Sequence, residues 1–158
     1  MNYVKLGPIV KSVDVKRTRD EAFAIFVNDI ARWWPLAHTR AKDSTGEKTV
    51  AIVIEAKVGG RIYETLNTGE TRDWGEVLHI EIGRRLVMSF QMGRPKAASG
   101  DVEILFEPLD AHSCRVVLTH SHWERLGDQA AAMHAAFDRG WDDVFLGGFA
   151  SFADIGPH

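Results

Sequence analysis

The feature that most restricts this chain is a run of six short segments between residues 50 and 121, each alternating apolar and polar side chains, followed by one long amphipathic stretch. The segments are VAIVIEA, RIYETL, DWGEVLHIEI, RLVMSFQM, DVEILFEP and SCRVVLTHSHW. Between them stand Gly59-Gly60, Asn67 to Gly69, Gly83, Pro95 to Gly100 and Leu109 to His112. Period-two alternation is the pattern of a strand with one dry and one wet face. Breaks this short leave no room for crossover helices, so consecutive strands are expected to pair antiparallel as a meander.

Upstream, IVKSVDVK places Ile9, Val13 and Val15 on one face of a further strand. TRDEAFAIFVNDIARWW then reads as a helix, with Thr18 and Glu21 at capping-box spacing, apolar residues from Phe23 to Trp33 at helical intervals, and Pro35 as the stop. Residues 36–49 are polar and read as a loop. After Gly127, Asp128 is placed to cap a helix whose stripe is Met133, Phe137, Trp141, Val144, Phe149 and Phe152. Run to about residue 154, such a helix spans roughly 40 Å. Gly140, Gly147 and Gly148 are positions where it can kink or where another backbone can come close. Strand, helix, six strands and long final helix is the helix-grip order: an α+β fold of about seven antiparallel strands curved around the C-terminal helix. With 158 residues, one domain over 1–158 is expected.

Net charge is −3, and the longest basic runs are the pairs Lys16-Arg17 and Arg84-Arg85. That is no footprint for a phosphate backbone, so nucleic acid is not an expected partner. The single Cys114 excludes an intramolecular disulfide. The start MNYVKLGPIVKSVDV carries no apolar signal-peptide core, and no span is long enough to cross a bilayer. The cytoplasm is therefore expected, without membrane insertion. Phosphate-loop, zincin, nucleophile-elbow and dinucleotide motifs are absent, and no cofactor is expected.

Strand alternation assigns faces. The apolar sets Leu86, Met88, Phe90 and Met92, then Val102, Ile104 and Phe106, then Cys114, Val116 and Leu118 point inward. His120 and His122 continue the last set, and Glu64 lies between Ile62 and Leu66 on another inward face. A carboxylate and an imidazole facing one apolar hollow are candidates for acid–base chemistry or for orienting a polar group, so Glu64 and His120 are the candidate catalytic residues. His120 and His122 lack a third ligand at any recommending spacing, and no metal site is expected.

The stretches WWPLAHT at 33–39, VGGRIYE at 58–64, DWGEV at 73–77, RRLVMSF at 84–90, LTHSHWERLG at 118–127 and RGWDDVF at 139–145 carry a resemblance. From about Ile9 to Phe152 the chain resembles the bacterial SRPBCC (START/Bet v 1-like) proteins of the group named after the activator of Hsp90 ATPase. The resemblance implies the helix-grip fold and a ligand-accessible cavity between sheet and final helix. That superfamily includes lipid carriers, polyketide cyclases and hormone receptors, and fold alone does not choose among them. The eukaryotic activator's separate Hsp90-binding domain has no counterpart here, so Hsp90 is not an expected partner.

Trp33, Trp34, Trp74, Trp123 and Trp141 fall within the matched stretches and are expected to give the cavity flat walls with N–H donors. Met88, Phe90 and Phe106 from the sheet and Met133 and Phe137 from the helix are expected to complete it, with Glu64, His120 and His122 as its polar groups. The function expected is binding of a small hydrophobic or amphipathic molecule whose polar end meets Glu64 and His120. The alternatives are a cyclase, dehydratase or hydrolase using either residue as general base, or an Hsp90-related interaction module. Homodimerisation is left open.

Overall fold

The computed structural model describes residues 6–155. The expected single domain over 1–158 includes residues 1–5 and 156–158, which lie outside the described residues. The strands are β1 (Ile9–Val15), β2 (Thr49–Ile54), β3 (Arg61–Leu66), β4 (Thr71–Glu81), β5 (Arg85–Phe90), β6 (Gly100–Asp110) and β7 (Ser113–Ser121). They form one seven-stranded antiparallel sheet in the order β1-β7-β6-β5-β4-β3-β2. The meander of β2 to β7 is thus as the alternation implies, with β1 laid against β7 from Ile9↔His120 to Val15↔Cys114.

The sheet curls because its long strands are bulged. Register shifts occur between Ile62 and Tyr63, Val77 and His79, and Pro108 and Asp110, and each adds local twist. Gly75 lies in this bent region, where a Cβ would stand 1.8 Å from the Ser89 carbonyl oxygen, so only glycine lets β4 come this close.

Helices α1 (Arg19–Asn28) and α2 (Ile30–Trp33) carry the chain from β1 towards β2. The capping box is present: Thr18 Oγ1 accepts from Glu21 N at 3.2 Å, and Glu21 Oε1 accepts from Thr18 N at 2.9 Å. The expected single helix is broken at Asp29, with φ −103° and ψ 18°, so a short second helix turns Trp33 into the core. Pro35 forces Trp34 into the extended region at ψ 123° and ends it. Phe23 and Phe26 meet Phe106 of β6 edge-on at 5.3 and 6.2 Å between ring centroids.

The C-terminal segment lies along the concave face as expected, but it is not one regular α-helix. A 3₁₀ stretch (Trp123–Gln129) leads into α3 (Ala130–Trp141), a π-helical segment (Asp142–Phe149) and α4 (Ala150–Ile155). Asp128 does not cap it: Gln129 occupies the N-cap of α3 and makes no side-chain cap bond. Met133, Phe137, Trp141, Phe145, Phe149 and Ala153 follow at a constant spacing of four. In an α-helix that spacing drifts by ~40° per step. The wider π turn takes up the drift, so Trp141, Phe145, Phe149 and Ala153 are all buried.

Gly148 is where this segment meets the tryptophan turn. A Cβ there would stand 2.5 Å from the Trp33 carbonyl oxygen and 3.3 Å from Pro35 Cδ. Helix propensity alone favours Gly148→Ala by about 0.5–1 kcal/mol. Overpacking against backbone outweighs it, and we expect a net loss of about 1–3 kcal/mol in urea unfolding. A stabilised variant would show that the contact is soft.

Candidate functional site

Five indoles organise the interior, and each uses its N–H within the protein. Trp33 Nε1 donates to Ile25 O at 3.0 Å, Trp34 to His38 O at 3.1 Å and Trp74 to Glu64 Oε1 at 2.7 Å. Trp123 donates to His120 O and Trp141 to His120 Nδ1, both at 3.0 Å. The expectation that these groups face a ligand as donors is therefore corrected: the tryptophans supply apolar surface only. All five are at most 5% exposed.

Glu64 and His120 are inward and buried, as the alternation requires. Glu64 Oε1 also accepts from Arg40 N at 2.6 Å, and Oε2 accepts from Thr49 Oγ1 at 2.5 Å. The carboxylate thus holds the loop before β2 and the Trp74 indole together. His120 Nδ1 receives the Trp141 indole hydrogen, and because an indole only donates, that nitrogen carries no proton. Burial, with a smaller contribution from His134, pushes the His120 pKa down to about 3. The two groups do not look into one hollow. Trp74, Trp34 and Trp141 stand between them as an indole chain, with ring centroids 4.7 and 5.9 Å apart.

His122 does not share the face of His120. The strand ends at Ser121, His122 adopts a left-handed conformation at φ 67°, and its ring is exposed beside Glu124 and Asp101. Among the described residues no three His, Cys, Asp or Glu side chains gather to hold a metal ion. Cys114 is buried, and desolvation pushes its thiol up to about 11, which makes it a packing residue rather than a nucleophile.

Space remains at one end of the concave face. A pocket of about 60 Å³ is lined by Trp34, His38, Phe90, Met92, Phe137, Gly140, Trp141 and Val144. It adjoins an open groove of about 580 Å³, with which it shares His38, Phe137 and Gly140. Met133, Ala136, Arg139 and Asp143 complete the groove. The turn after Trp34 shapes one side: Leu36–His38 forms a 3₁₀ turn, and His38 Nε2 reaches Asp143 Oδ2 at 3.4 Å across the mouth. α3 forms the other side.

This narrows the expectation of a ligand-accessible cavity between sheet and final helix to a small pocket opening into a groove. Small-molecule sites usually measure about 300–1,000 Å³, so the inner pocket alone is too small, whereas pocket and groove together reach that range. Of the residues expected to line a cavity, the structure brings Trp34, Phe90, Phe137 and Trp141 to the pocket and Met133 to the groove. Trp33, Trp74, Met88, Phe106 and Trp123 are core, because the neighbouring aromatic rings fill the remaining space. Sequence reasoning missed His38, Met92, Ala136, Arg139, Gly140, Asp143 and Val144 as lining residues. Signals for three of them were present: Met92 ends an inward strand set, Val144 belongs to the helix stripe, and His38 sits four residues after the second tryptophan.

Comparisons with known proteins agree on the fold. Txn09, described as an anthrahydroquino-γ-pyrone synthase complexed with SUM, is 28% identical with a TM-score of 0.64, over 92% of this chain and 96% of that one. CalC from Micromonospora echinospora, described as a self-sacrificing resistance protein, is 22% identical with a TM-score of 0.64, over 95% and 97%. The Aha1 dimer from Colwellia psychrerythraea is 17% identical with a TM-score of 0.67, over 97% and 100%. No curated protein sequence matches. Residues 16–152 match the family described as Activator of Hsp90 ATPase homolog 1-like protein, and with most of its length inside that match the chain belongs to this family.

Proposed function

We propose that this protein binds a small, flat hydrophobic or amphipathic molecule in the groove between α3 and the turn after Trp34. The observation that carries the reading is the wall of Trp34, Phe90, Met92, Phe137 and Trp141 at the foot of an open groove. Aromatic faces with their N–H groups already engaged select a ligand by stacking and apolar contact. Fused aromatic molecules are the class we favour, and the similarity to Txn09, whose description names an anthrahydroquino-γ-pyrone, supports that choice.

Glu64 and His120 support the binding surface from behind, the first through Trp74 and the second through Trp141. Neither lines the pocket, so the cyclase, dehydratase or hydrolase alternative has no general base among them. Hsp90 binding is not part of the proposal. No helix of the described residues is long and apolar enough to cross a membrane. We place the protein in the cytoplasm as one domain, in keeping with its lone, unpaired cysteine. A homodimer through the edge strands β1 or β2 is a further proposal, which light scattering in solution decides.

The test is quenching of tryptophan fluorescence by anthraquinone- and naphthoquinone-type probes, with thermal shift in parallel. We expect saturable quenching and a raised Tm. Phe137 is only half-buried, so Phe137→Ala should keep the fold while weakening binding by at least about tenfold. Silence across the panel, or unchanged affinity in Phe137→Ala, would overturn the reading.

A further inference from the structure

The arginines of the strands and of the segments beside them are mostly paired. Arg61, Arg72, Arg84, Arg85, Arg115 and Arg125 each meet a carboxylate. Arg94 and Arg40 do not: among the described residues neither guanidinium has an acidic partner. Arg94 is half-buried, and among the described residues its one side-chain hydrogen bond runs from Nη2 to the Met133 thioether sulfur at 3.3 Å. Sulfur is a weak acceptor, so this guanidinium, which has five N–H donors, is left almost wholly unsatisfied by the protein.

The backbone that carries it is nevertheless held. Arg94 N donates to Gln91 O, and Gln91 Nε2 donates to Arg94 O, each at 3.0 Å, so the turn after β5 is tied to itself. Beside it Arg40 Nη1 donates to Asp73 O at 2.8 Å, and the Arg40 guanidinium lies against Gly93, where a Cβ would stand 2.6 Å from Nη2. Arg40 and Arg94 line one polar cleft of about 440 Å³. The carboxylates nearest this cleft are already engaged, Asp73 by Arg61 and Glu47 by Arg72. Two uncompensated positive charges therefore face the same space.

Arg94 is also the junction between that cleft and the aromatic groove. Its contact Met133 lines the groove, and Met92, two residues earlier, lines the pocket. A molecule whose rings rest on Phe137 and Trp141 can thus extend a substituent past Met133 to the guanidinium. We propose that the groove's ligand carries an acidic group, a carboxylate or an ionised enol, which Arg94 binds with Arg40 adding charge behind it. This rests on the groove being the binding site and adds the ligand's charge and orientation. The polar end of the ligand then points to the turn after β5, away from Glu64 and His120.

A matched pair of probes tests it: anthraquinone-2-carboxylate and anthraquinone-2-carboxamide, titrated by tryptophan quenching against wild type, Arg94→Gln and Arg94→Lys. Charge-assisted hydrogen bonds to a guanidinium should favour the carboxylate by about tenfold to a hundredfold in wild type. That preference should vanish in Arg94→Gln, persist in part in Arg94→Lys and fall as salt rises. Carboxamide affinity should fall by only a few-fold in Arg94→Gln, the value of a neutral hydrogen bond, and far-ultraviolet circular dichroism shows that both variants are folded. Equal binding of both probes by wild type, or a preference that survives Arg94→Gln, would overturn the anchor and leave the groove standing. Binding of neither probe would overturn both.

Discussion

Glu64→Ala is expected to destabilise the fold by about 3–5 kcal/mol, because it strands several neutral hydrogen-bond donors at about 1–3 kcal/mol for each one left buried. The carboxylate is fully buried and accepts from the Trp74 indole, the Arg40 amide and the Thr49 hydroxyl. Alanine leaves all three donors without an acceptor and opens a void beneath Trp74. Glu64→Gln retains one carbonyl oxygen for Trp74 and Arg40, and should cost less, about 1–3 kcal/mol. Urea unfolding of the three proteins checks this. Near-neutral behaviour of Glu64→Ala would mean that the network is not holding the loop before β2.

The second large effect is on stability against acid. His120 has an ordinary unfolded pKa near 6.5, whereas burial holds it at about 3 in the folded protein. The folded pKa is depressed, so this contribution is fully present above about pH 6.5 and is lost as pH falls towards 3, because only the unfolded chain takes up the proton. The slope is ~1.4 kcal/mol per pH unit, and between pH 7 and 4.5 the loss amounts to about 2.5 kcal/mol. The His120→Asn variant still offers the Trp141 indole a carbonyl acceptor and has nothing to titrate. It should be less stable at pH 7 yet lose about 2.5 kcal/mol less than wild type over the same interval. Parallel pH profiles for the two proteins would contradict a buried, neutral His120.

Much of this was legible from residue order. Thr18 and Glu21 announced the start of α1, and the alternating sets Leu86-Met88-Phe90 and Val102-Ile104-Phe106 gave the correct inward faces. Those signals are local, and local geometry suffices to read them. Phe145 was missed because its burial depends on a π-helical turn, and a stripe drawn at 3.6 residues per turn passes it by. His122 was placed inward because alternation was extended one step past the end of β7, where a left-handed residue reverses the side chain. The size of the hollow was beyond reach for another reason: whether Trp33, Trp74 and Phe106 fill space or border it depends on the curvature of the whole sheet, which no periodicity encodes. Arg94 carries no sequence signal at all. It stands out only when its neighbours are seen to be paired and it is not.

The central claim is that ligands rest on the aromatic wall at the foot of the groove, and the most direct measurement is a two-dimensional amide and indole NMR titration with an anthraquinone probe. The account predicts saturable shifts at the Trp34 and Trp141 indoles and at the amides of Phe90, Met92, Phe137 and Gly140, with the Trp74 and Trp123 indoles changing least. Shifts centred on another surface, or none under saturating probe, would contradict it.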